Sequence, residues 1–158
     1  MRGAGRPLSV ATRHPGLKAD RRALAAAVAV LDAHAGAFRG GCPPGELSVV
    51  FLTDPALAKL HADFLADPAP TDVITFAGEP AHGSAGEICV SADAAARVAG
   101  RAAAAYSDEL TLYVVHGWLH LAGYDDLRVP AKREMRRAEA RALRLLRAAG
   151  AMPRFKLA

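Results

Sequence analysis

Apolar positions along this chain follow two rhythms: short runs of β-branched and large side chains, and longer stretches recurring every three to four residues. The runs LSVATR (8–13), ELSVVFLT (46–53), TDVITFAG (71–78) and EICVS (87–91) predict strands. Asp20 is a suitable N-cap for a helix over 20–35, with Gly36 as its stop. Thr53 or Asp54 caps a second helix that begins at Pro55 and reaches Ala66, where DPAP (67–70) breaks it. Residues 92–106 predict an alanine-rich helix weakened at Gly100, and Ser107 caps the next, DELTLYVVHGWLHLA (108–122). That helix is apolar nearly all round and belongs in the core. A last helix, 129–149, puts Met135, Ala138, Ala142, Leu145 and Ala149 inward. Its other face carries Arg133, Arg136, Arg137, Arg141, Arg144 and Arg147. The order of elements predicts one α+β or mixed α/β domain over residues 1–158 with a single small sheet, residues 1–7 forming a loose basic tail.

The bulk numbers exclude more than they select. A chain of 158 residues suits one domain with a real core. Twenty Lys plus Arg against 16 Asp plus Glu leaves a mildly basic chain whose excess is almost all arginine, which permits a phosphate-bearing partner. Cys42 and Cys89 form neither a disulfide framework nor a zinc ribbon, so a reducing, cytoplasmic setting is expected. RRALAAAVAVLDAHAG (21–36) superficially resembles an export signal, but its apolar run is short and Asp32 interrupts it. No stretch supplies the roughly 20 apolar residues that span a bilayer, so no membrane partner is expected.

The chemistry concentrates in HGWLHLAGYDD (116–126). His116 and His120 sit at i and i+4, so one helical face aims both imidazoles at one point. Gly123 offers the left-handed conformation that ends a helix and turns the chain back. Asp125 or Asp126 can then return to the same point and complete a three-ligand metal site. Zinc proteases with this spacing place a glutamate directly after the first histidine as general base; Gly117 stands there and moves no proton. Gly117 therefore disfavours a peptidase of that mechanism.

The same stretch resembles the signature H-G-x-L-H-L-x-G-Y-D-H of the YbeY family of zinc-dependent endoribonucleases in ribosomal RNA maturation. PTDVITF (70–76) resembles that family's P-T-D-V-L-S-F, and GEICVS (86–91) its G-D-I-x-I-S strand. ELSVVFLTDPALAKLHADF fits its strand followed by a helix, so the likeness runs from about 46 to 149. The resemblance implies an α+β domain with one small mixed sheet packed against helices and a zincin-like histidine helix. It implies one Zn(2+) per chain, held by His116, His120 and Asp126. It further implies single-stranded RNA as substrate, ribosomal RNA or the small ribosomal subunit as partner, and the cytoplasm as location. Cleavage would draw on a metal-bound water or a metal-polarised phosphoryl oxygen.

Two positions depart from that pattern. Asp126 replaces a third histidine; its oxygen ligates zinc well but lowers the charge of the centre by one unit, so bound water is less acidified. Leu65, after Phe64, occupies the place of an arginine linked to catalysis in the family, and His61 a place where asparagine is common. The alternative function is therefore a ribosome-assembly binding protein with structural zinc. Asp125 is the candidate catalytic side chain, its other readings being a carboxylate that orients a histidine and part of the turn. Asp72 reads as a local backbone partner, and Trp118 as core, on the helix face away from the histidines.

Overall fold

The computed structural model describes residues 5–65 and 72–158. At its centre is a four-stranded sheet in the order β1 (Leu8–Thr12), β3 (Glu46–Leu52), β5 (Ser84–Ser91), β4 (Val73–Ala77). The first three strands run parallel and β4 pairs antiparallel with β5, so the sheet is mixed and the fold α+β.

Because side chains alternate across a strand, the sheet sorts one sequence into two cores. Leu47, Val49 and Phe51 of β3, with Ile88 and Val90 of β5, face the larger core. Val50, Leu52, Cys89 and Ile74 face the other way and cover Leu57 of α2 (Asp54–Leu65). The larger core is closed by α1 (Arg21–Ala33), α3 (Ala92–Ala99), α4 (Ala103–Leu121) and α5 (Val129–Ala148). α1 starts where expected: the Asp20 carboxylate accepts from the backbone N–H groups of Arg22 and Ala23. α4 buries Leu110, Val114, Val115, Trp118 and Leu119, as its apolar circumference requires.

The structure corrects several expectations. The predicted 92–106 helix is two pieces, because Gly100 takes φ +76° and α4 begins at Ala103. Ser107 is therefore not a cap but a buried residue inside α4. Its Oγ accepts from Phe155 N at 2.8 Å and lies 3.2 Å from Phe155 O, to which it donates. This tethers β6 (Phe155–Leu157), which pairs antiparallel with β2 (Leu17–Ala19) in a second, two-stranded sheet. Neither three-residue strand is predictable from pattern, since each exists only through its distant partner. On α5, Leu146 is buried in place of Ala149, which lies just past the helix end as its C-cap.

The tail is not loose throughout. Arg6 grips Asp32 through two nitrogens, at 2.7 and 3.1 Å, and donates to the carbonyls of Cys42, Pro43 and Gly45. Residues 1–4 and the DPAP break lie outside the described residues. Among the described residues, no helix is long and apolar enough to cross a membrane.

Candidate metal centre

His116 and His120 occupy the last turns of α4, with their rings 4.6 Å apart and their Nε2 atoms 3.0 Å apart. The residue between them and the sheet is Gly117. A β-carbon there would lie 2.4 Å from Cγ2 of Ile88 on β5, so this helix face can approach the sheet only without a side chain. The protease-type glutamate is thus absent from a position that points into packed core.

The helix ends in a Schellman motif. Gly123, at φ +104°, donates to the His120 carbonyl, and Tyr124 N donates to the Leu119 carbonyl. Arg39 secures the turn from outside: its guanidinium donates to the Gly123 carbonyl at 3.0 Å, lies over the Tyr124 ring and pairs with Glu134. The chain then doubles back, and Asp126 meets the histidines. Its carboxylate oxygens lie 3.3 Å from His116 Nε2 and 3.6 Å from His120 Nε2.

These donors fit a metal ion. One ligand atom from each of His116, His120 and Asp126 lies within 4.8 Å of the others. Tetrahedral zinc with bonds of about 2.0–2.1 Å sets its ligand atoms about 3.3 Å apart. The observed separations of 3.0, 3.3 and 3.6 Å straddle that value.

A fourth residue completes the arrangement, and sequence reasoning missed it. Glu139 on α5 places Oε2 2.6 Å from His116 Nδ1. Burial opposes a proton on His116, but the hydrogen bond and charge of Glu139, with Asp126 and Asp72, outweigh it and hold the pKa above the ordinary histidine value. His120 moves the other way: burial and the adjacent His116 hold its pKa below the ordinary value despite Asp126. Among the described residues, Asp126 is the one group whose charge favours positive charge at both rings.

The other predicted residues divide. Asp125 accepts from Leu127 N at 3.0 Å, an Asx turn that shapes the approach of Asp126. Asp72 sits close enough for its charge to act on His116, and its carbonyl accepts from Ser91 N. Trp118 is fully buried, edge-on to Phe38, with Nε1 donating to Asp32. Leu65 closes α2, and its side chain lies outside the described residues. The one advance signal for Glu139 was a carboxylate in an arginine-rich helix, and its pairing with a residue 23 positions earlier is invisible locally.

The fold and the site together define a small α+β domain with a candidate metal centre at the end of a histidine helix. A family model described as endoribonuclease YbeY matches residues 14–147. An endoribonuclease YbeY of Geobacter sulfurreducens is 40% identical over 107 residues, covering 64% of this chain and 71% of its own. One from Chlamydia pneumoniae is 40% identical over 110 residues, covering 65% and 70%. The solution structure of a Thermotoga maritima protein shares the fold, with TM-score 0.55 and 24% identity over 88% of each chain. The chain belongs to the endoribonuclease YbeY family.

Proposed function

We propose that this protein is a zinc-dependent endoribonuclease that cuts single-stranded RNA during ribosomal RNA processing and ribosome maturation in the cytoplasm. Family membership supports the nuclease activity. The observation that carries the metal dependence is the convergence of His116, His120 and Asp126 on one point. When bound, a zinc ion would supply Lewis-acid polarisation and acidify water at the site. The chain's own residues do the rest: Glu139 holds the proton on His116 Nδ1 and turns Nε2 inward, while the Gly123 turn presents Asp126.

The alternative, a binding protein with structural zinc, fits the donor set less well. Structural zinc takes four protein ligands, whereas the described residues bring three together, and Asp126 is partly open to solvent. The deciding experiment incubates purified protein with unstructured RNA, before and after chelation and after zinc is restored. Cleavage that tracks the metal and is lost in His116→Ala supports the proposal. Cleavage indifferent to chelation sinks it, and a metal-loaded protein that binds RNA without cutting it favours the alternative.

A further inference from the structure

We propose that Lys132 and Arg136 hold a phosphate of the RNA strand beside the metal triad. This rests on the endoribonuclease reading above and assigns the part of the site that meets the substrate's charge. The cavity next to His116 is lined by His116, Asp126, Lys132, Met135, Arg136 and Glu139. Lys132, Arg136 and Glu139 stand at i, i+4 and i+7 on α5, one stripe of one helix face. Glu139 reaches His116, so it orients that whole stripe towards the triad.

Charge favours the pair. Asp126 and Glu139 line the cavity, and Asp125 and Asp72 add negative charge that acts on the histidines. A divalent ion at the triad offsets two of these four carboxylates, and a phosphodiester is still repelled unless further cations offset the rest. Lys132 and Arg136 are the cations that line this cavity, and both are exposed. Neither is committed to a carboxylate among the described residues: Glu134 is taken by Arg39, and Glu139 by His116. Elsewhere on the helix the arginines are differently engaged or placed. Arg141 turns inward to the Ala37 carbonyl and the Tyr124 hydroxyl, and Arg147 lies near Asp108. Arg133 and Arg137 are exposed but do not line the cavity. The guanidinium fork of Arg136 matches two phosphate oxygens, and the Lys132 ammonium adds a point charge one turn away.

The test measures binding of a short fluorescent 2′-O-methyl oligoribonucleotide, which resists cleavage, to metal-loaded wild type, K132A/R136A and R133A/R137A across a salt series. Zinc content and thermal unfolding are measured on all three. The expected result for K132A/R136A is about tenfold weaker binding at low salt and a salt slope smaller by about 1.4, the release expected for two contacts on a single strand. R133A/R137A should bind nearly as wild type does, and zinc content should be unchanged in both. Equal affinity and slope in K132A/R136A overturn the assignment, as does an equal loss in R133A/R137A. If wild type cleaves RNA while K132A/R136A binds normally, only this assignment fails. If wild type neither binds nor cleaves RNA, the endoribonuclease reading fails with it.

Discussion

Oε2 of Glu139 lies 2.6 Å from Nδ1 of His116, joining the last helix to the histidine helix across 23 residues of chain. A carboxylate accepts, so Nδ1 carries the proton and Nε2 presents its lone pair to the point shared with His120 and Asp126. Glu139→Ala should weaken zinc binding about 10- to 100-fold. Glu139→Gln should lose less, because its amide oxygen still accepts. Competition with a chromophoric chelator measures both, and unchanged affinity in the alanine variant would remove Glu139 from the metal's support.

Asp126 is tested by two replacements. Asp126→Ala leaves two imidazoles and should abolish stoichiometric zinc after dialysis. Asp126→His should retain zinc and raise the net charge of the centre by one unit. Water at the site is then more acidic, and the acid limb of the pH–cleavage profile should move to lower pH. A profile that stays put, with metal bound, contradicts the charge argument.

Gly117 sets how closely α4 approaches the sheet. Its substitution by alanine forces a β-carbon to within 2.4 Å of Ile88 unless the helix shifts. Gly117→Ala should cost about 1–3 kcal/mol in urea unfolding. In a cycle with Ile88→Ala the two losses should fall short of additive, because removing the Ile88 branch makes room. Full additivity would mean that the contact is not the cause.

The two thiols predict an alkaline limit. Burial, with a small contribution from Asp32 against the opposing Arg6, pushes the Cys42 thiol up to about 11. Burial and then the Glu87 carboxylate push Cys89 up to about 12. Both stay protonated when folded, whereas exposed thiols ionise near 9. Their contribution to stability is whole below pH 9 and is lost as pH rises through 11 to 12. At pH 8 the native protein should react slowly with an aromatic disulfide reagent, and quickly once unfolded in urea. Fast native reaction would show that these sites open without global unfolding.

Local chemistry made much of this legible. Period-two runs marked the four strands of the main sheet, and Asp20 marked the start of α1, because each signal acts within a few residues. His116, His120 and Gly123 could be read as one device, since helix geometry alone stacks i on i+4 and glycine alone favours the turn that follows. Where local signals conflicted, reading faltered. Ser107 has the composition of a cap, but Gly100 had already ended the previous helix and α4 ran through it.

By itself, then, the sequence determined the strands, the amphipathic helices and the spacing that lets two imidazoles and a carboxylate meet. Only the tertiary structure decided that Glu139 would orient His116, that Lys132 and Arg136 would line the same cavity, that Arg39 would secure the Gly123 turn, and that Arg6 would leave the tail to grip Asp32. The reason is physical: backbone periodicity is a property of neighbours in the chain. A contact between residues tens of positions apart depends on how the sheet faces and helix azimuths pack, which no short window of residues specifies.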